Sequence, residues 1–147
     1  MSNEKNLTVK EAFDLAVQSH QNNNLHDAQN YYYKVLEIDP NHSISLNNLG
    51  AIFQEAGDLQ KAKECYEKAV KNDPNYSDAH FNLGIIFNIL GEPKKAKECY
   101  EKALEIDPNF IDAHNNLGNI FKELSEYQKA KECYEKALEI DPNYVNA

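Results

Sequence analysis

Three asparagines, Asn48, Asn82 and Asn116, recur at intervals of 34 residues. A carboxamide carries one acceptor and two donors. A row of them can therefore pair with both the C=O and the N–H groups of an extended peptide, whatever its side chains. Asn47 and Asn115 stand beside this row, Asn119 lies one helical turn beyond it, and Asp78 and Asp112 precede it. Other residue types invite other chemistry. Cys65, Cys99 and Cys133 are also 34 apart and raise the question of a disulfide, a redox pair or a metal. His80 and His114 raise the question of zinc, and the many carboxylates that of acid–base catalysis.

What these side chains can do depends on the elements that hold them. Pro40, Pro74, Pro108 and Pro142 are spaced by 34, each within a D-P-N triplet. The string KAKECYEKALEIDPN occurs unchanged at 95–109 and 129–143, and with three differences at 61–75. Internal repetition of this length marks stacked supersecondary units. The repeats run 9–42, 43–76, 77–110 and 111–144, after an N-terminal extension at 1–8, and residues 145–147 would open a fifth. Within the third, Ala79, Leu83, Ile86, Phe87 and Leu90 form one apolar stripe at helical spacing. Ala96, Cys99, Tyr100, Ala103, Leu104 and Ile106 form a second. Gly91 between them suits the left-handed residue that closes a helix, Pro93 suits the first turn of the next, and Pro108 stops it. Gly57 holds the place of Gly91 in the second repeat, Asn23 in the first and Ser125 in the fourth. Thr8 and Glu11 form a T-x-x-E capping box. The spacing predicts helices over 9–22, 25–38, 43–56, 59–71, 77–90, 93–105, 111–124 and 127–139. The fold class is therefore all-α.

This framework removes most of the chemistry. Equivalent residues of stacked helices lie about 10 Å apart, whereas a disulfide needs Cα atoms within about 7 Å, and no C-x-x-C is present. The cysteines read as small packed residues in a reducing compartment. Zinc needs three or four ligands at close quarters, which two histidines a repeat apart do not supply; they read as packing residues at a helix seam. Glu64 with Lys68, Glu98 with Lys102 and Glu132 with Lys136 fall at i,i+4, as ion pairs on a solvated face. There is no phosphate loop, nucleophile elbow or H-E-x-x-H. The expectation is no enzyme, no cofactor and no metal. A net charge of −9 argues against nucleic acid and anionic membrane and favours basic partners. With no apolar run of about 18 residues and no signal-like start, the expected location is cytoplasmic or nuclear.

The pattern resembles the tetratricopeptide repeat family. The residues that carry the resemblance are Leu46, Leu49-Gly50, Phe53, Ala62, Tyr66, Ala69 and Pro74. They recur as His80, Leu83-Gly84, Phe87, Ala96, Tyr100, Ala103 and Pro108, and as His114, Leu117-Gly118, Phe121, Ala130, Tyr134, Ala137 and Pro142. The first repeat is degenerate: Ala12, Leu15-Ala16, Ser19, Ala28, Tyr32, Val35 and Pro40. The resemblance implies a right-handed superhelix, an α/α solenoid in which small residues let helices approach and large ones fill the gaps. It also implies peptide binding on the concave side, lined by the first helix of each repeat. The strings SDAHFNLG and IDAHNNLG are similar to the superhelical repeats of the O-linked N-acetylglucosamine transferase family. There such Asn residues hold peptide backbone and such Asp residues meet peptide side chains. The second repeat departs with Ile44 in place of Asp, and the first has Asp14 in place of Asn. Another class of the family clamps a C-terminal carboxylate with Lys, Asn and Arg. Its places hold Phe13, Val17, Asn48, Asp78 and Asn82 here or, one repeat along, Asn47, Ala51, Asn82, Asp112 and Asn116. Neither set contains a cation, so that mode is not expected.

The Asn row has alternative readings as solvated helix surface or as the echo of a duplication. Asn is nonetheless a poor helix former, so its repeated mid-helix placement asks for a reason. The last helix keeps an apolar face at Tyr134, Ala137, Leu138 and Ile140, a surface for a next repeat or a second copy. Three functions stay open: a non-catalytic scaffold binding an extended peptide, a substrate-recruiting arm of a larger enzyme, and an assembly module forming a homo-oligomer through its C-terminal edge.

Overall fold

The computed structural model describes residues 6–144. Residues 1–5 of the N-terminal extension and 145–147, read as the opening of a fifth repeat, lie outside the described residues. Among the described residues there are eight helices and no strand: α1 Val9–Gln21, α2 Leu25–Ile38, α3 Ser43–Glu55, α4 Leu59–Asn72, α5 Ser77–Ile89, α6 Pro93–Ile106, α7 Ile111–Glu123 and α8 Tyr127–Ile140. Each sequence-derived boundary is met within one residue. Among the described residues no helix is long and apolar enough to cross a membrane. The chain forms two compact units, Met1–Pro74 with α1 to α4 and Asn75–Ala147 with α5 to α8. Within each, consecutive helices pack against one another.

Local chemistry places the ends. The Thr8–Glu11 box is formed in both directions: the Thr8 hydroxyl accepts from the Glu11 amide at 3.2 Å, and the Glu11 carboxylate accepts from the Thr8 amide at 2.9 Å. Each short turn inside a repeat pivots on one left-handed residue: Asn23 at φ 58°, Gly57 at 80°, Gly91 at 74° and Ser125 at 61°. The residue that follows returns its N–H to a carbonyl of the preceding helix, as in Asp58 to Phe53 at 2.9 Å and Glu126 to Phe121 at 2.8 Å. This closes the helix and satisfies one of its last acceptors. The D-P-N triplets are Asx turns. The Asp39, Asp107 and Asp141 carboxylates accept from the amides of Asn41, Asn109 and Asn143 at 3.0–3.1 Å.

Inside each repeat a tyrosine ring from the second helix lies in the notch of a glycine on the first. A Cβ added at Gly50, Gly84 or Gly118 would stand 2.7 Å from Cε1 of Tyr66, Tyr100 or Tyr134 respectively. Alanines fill the rest of the seam: Ala62, Ala69, Ala96 and Ala103 are fully buried. Phe53, Phe87 and Phe121 close the other end, each beneath a lysine ammonium (Lys61, Lys95 and Lys129) at 5.3–5.5 Å from the ring centroid.

Two details differ from the sequence reading. Among the described residues, the Glu64–Lys68, Glu98–Lys102 and Glu132–Lys136 pairs do not close. Glu64 and Glu132 accept instead from the amides of Gln60 and Gln128, one turn earlier. Three ion pairs form at the N-termini of the second helices, where Asp58, Glu92 and Glu126 meet Lys61, Lys95 and Lys129. His114 is more than packing. It is 7% exposed, and its Nε2–H donates to the Pro108 carbonyl at 2.8 Å, tying α7 to the turn before it.

Candidate functional site

A helix advances 100° per residue, so positions i, i+3, i+4 and i+7 share one stripe. On α7 that stripe is Asp112, Asn115, Asn116 and Asn119, all polar. The opposite side, Ala113, Leu117, Ile120 and Phe121, is buried. The same places on α5 hold Asp78, Phe81, Asn82 and Ile85. On α3 they hold Ile44, Asn47, Asn48 and Ala51. The full polar stripe thus belongs to the last repeat, while the other first helices carry it in part.

The row residues are half-buried rather than free. Asn48 Nδ2 donates to the hydroxyl of Tyr32 on α2 at 3.2 Å. Tyr32 is itself fully buried, and its hydroxyl lies 3.4 Å from His20 Nδ1. In the second unit the side chain of Asn116 stands within hydrogen-bonding reach of the Tyr100 hydroxyl. Burial pushes the Tyr100 phenol up to about 12, and the Asn116 donor pulls in the opposite direction. Burial likewise raises Tyr32, against the Asn48 donor. Asn82 is half-buried on α5. The alternative of a merely solvated surface is therefore incomplete. Asn48 and Asn116 each meet a buried hydroxyl of the preceding repeat, which supplies a reason for a poor helix former in mid-helix. The sequence reading missed this bond. Its signal is the tyrosine at 32, 66, 100 and 134, where phenylalanine would fill the same space but bring no hydroxyl in need of a partner.

The neighbours of the row divide. Asn47 and Asn115 are 7% and 6% exposed. Asn115 Oδ1 is buried and meets no donor among the described residues. Asn119 is exposed, and its Oδ1 accepts from the Tyr134 hydroxyl at 2.6 Å. Asp78 is exposed in the first turn of α5. Asp112 is exposed in the first turn of α7 and accepts from the Tyr144 hydroxyl. A cleft of about 640 Å³ in the second unit lies elsewhere. It runs along Leu104, Pro108, His114, Leu117, Cys133 and Ile140, on the side of α7 turned away from the polar stripe. Burial pushes the Cys65 thiol up to about 11 and raises Cys133 as well, opposite to what a reactive thiolate requires. Among the described residues no group of three or more His, Cys, Asp or Glu could hold a metal ion.

The C-terminal face is also divided. Tyr134 is half-buried, whereas Tyr32, Tyr66 and Tyr100 are at most 1% exposed. Leu138 is 41% exposed and Ile140 half-buried. Ala137, expected on this face, is fully buried. It lies inside its own repeat, where a small residue lets α7 and α8 approach, so it offers nothing to a partner.

A family model described as the tetratricopeptide repeat matches residues 43–76, 77–110 and 111–144, and a second of the same description matches 13–42. No curated protein matches the chain. Among solved structures it is similar to MamA, at 25% identity and a TM-score of 0.84 over 95% of this chain and 82% of that one. It is also similar to MamA from Desulfovibrio magneticus RS-1, at 23% identity and a TM-score of 0.81 over 97% and 80%. A third likeness is to an O-GlcNAc transferase mutant from Thermobaculum terrenum, at 26% identity and a TM-score of 0.72 over 82% of this chain but only 23% of that one.

Proposed function

The chain belongs to the tetratricopeptide repeat family, a family of protein-interaction scaffolds, and from that premise we propose that it binds an extended peptide segment through the polar stripes of its first helices, without catalysis. The observation that carries this reading is the stripe of α7. Four polar residues in register face one way there, and the buried Oδ1 of Asn115 still lacks a donor. Asn48, Asn82 and Asn116 supply the backbone contacts. Asp78 and Asp112, with the net charge of −9, favour a segment rich in Lys or Arg. The three thiols favour a reducing compartment, cytoplasm or nucleus.

The test compares wild type with the triple change Asn48→Ala, Asn82→Ala and Asn116→Ala on a library of extended peptides. Circular dichroism melting checks that the variant is folded. Loss of two or three hydrogen bonds at about 1 kcal/mol each weakens binding roughly 30-fold or more. A folded variant that binds as well as wild type would defeat the ladder. The likeness to the T. terrenum transferase supports a narrower version, in which the chain recruits substrate for a catalytic domain.

A second reading rests on Leu138 and Tyr134. The α8 face that they expose corresponds to the face of α6 on which α7 packs, and an apolar face of that kind favours burial against a second copy. Sedimentation should then show a concentration-dependent dimer that Leu138→Lys abolishes. A wild-type monomer at high concentration rules this reading out.

A further inference from the structure

We propose that the hydroxyls of Tyr32 and Tyr100 are positioning groups for the asparagine row, each fixing one amide so that its remaining polar atoms face the ligand. The inference rests on the peptide-binding reading above. An unrestrained Asn can turn its amide over and present donor and acceptor in either order. Here one Nδ2–H of Asn48 is spent on Tyr32 Oη at 3.2 Å, and the Asn116 side chain stands beside the Tyr100 hydroxyl at the equivalent place two repeats on. With the Tyr32 hydrogen directed to His20 Nδ1 at 3.4 Å, the hydroxyl is left to accept from Asn48, and this sets which side of that amide is nitrogen. What remains is one acceptor and one donor, the pair that one peptide unit needs for its N–H and C=O.

The tyrosines cannot drift. Tyr32 is fully buried and Tyr100 is 1% exposed, and the Tyr100 ring lies in the Gly84 notch. Tyr32 is also placed from its other side, with His20 Nδ1 at 3.4 Å from the hydroxyl. Each pair joins the second helix of one repeat to the first helix of the next, 16 residues on in sequence. The ligand-facing amide is thereby oriented by the repeat before it. Tyr66 and Tyr134 mark the difference: they donate to Gln54 and Asn119 of their own repeats.

The experiment titrates a fluorescein-labelled dodecamer of alternating Lys and Ser into the full chain. It compares wild type, the double change Tyr32→Phe and Tyr100→Phe, the double change Asn48→Ala and Asn116→Ala, and all four together. Phe keeps the ring and removes only the hydroxyl. The Phe pair is expected to bind about 3- to 10-fold more weakly, and to have no further effect once both Asn are Ala. Nuclear magnetic resonance of wild-type side-chain amides gives an independent readout even if a variant unfolds. One Nδ2 proton each of Asn48 and Asn116 should be shifted downfield and exchange slowly with water. Binding unchanged by the Phe pair but lost on the Asn change overturns the positioning role and leaves the ladder standing. Equal binding by wild type and the Asn variant overturns the ladder itself. Two amides that exchange like free asparagine overturn the positioning role whatever the binding.

Discussion

Tyr100→Ala is expected to destabilise the protein by about 3–5 kcal/mol, the range for deleting a large buried ring, whereas Tyr134→Ala should cost about half that or less. The two tyrosines sit in identical strings, 95–109 and 129–143, and each ring lies in a glycine notch. Their surroundings differ on the far side. Tyr100 is 1% exposed, while Tyr134 is half-buried, so truncating Tyr134 opens a dent that water fills rather than a sealed cavity. Removing Tyr100 also strips Asn116 of its hydroxyl partner. Urea unfolding of both variants measures the difference, with the m-value watched because stacked repeats can unfold in stages. Equal losses would show that the seam within one repeat carries all the energy and that covering by the next repeat adds nothing.

Gly84→Ala should be destabilising, by about 1–2 kcal/mol net, although alanine is the better helix former. In mid-helix the exchange favours the helix by about 1 kcal/mol. Against this, the new methyl would stand 2.7, 2.9 and 3.1 Å from Cε1, Cδ1 and Cζ of Tyr100. Overpacking of this kind costs about 1–3 kcal/mol, and a ring 1% exposed has no free space to swing into. The first repeat shows that the seam can be built around a methyl, since Ala16 and Tyr32 are both fully buried there. Thermal melts of Gly84→Ala, alone and with Tyr100→Leu, separate the two contributions. With the ring gone, the alanine should be neutral or stabilising. A Gly84→Ala protein as stable as wild type would mean that the ring moves aside freely, and that glycine there does not set the spacing.

Much of this was legible beforehand because its causes are local. Helix ends depend on a cap, a left-handed residue or a proline within about one turn. Thr8, Gly57, Gly91 and the D-P-N triplets therefore announced the boundaries next to them to within a residue. Asn23 and Ser125 were legible only by register, as non-glycine residues made to adopt glycine's conformation. Spacing also picked out the polar stripe of α7. It could not see that Asn48 spends one donor on a buried tyrosine, or that Asn116 stands against another, because that partner is 16 residues away and reaches them only through packing of one repeat on the next. Nor could it see that Glu64 takes Gln60 rather than Lys68; both lie on the same exposed face, and small rotamer preferences decide between them.

The limit is clearest where the sequence repeats itself. The strings at 95–109 and 129–143 give α6 and α8 with the same ends, the same Asx turn and the same glycine notch, since all of these depend on nearby residues. Yet Leu104 is half-buried and Leu138 41% exposed, Tyr100 is sealed and Tyr134 half open, and Ala137 is hidden while its neighbour Leu138 is not. By itself the sequence determined which helices form and which side of each is apolar. The tertiary structure decided how much of that side meets water, because burial belongs to a helix together with the element packed against it.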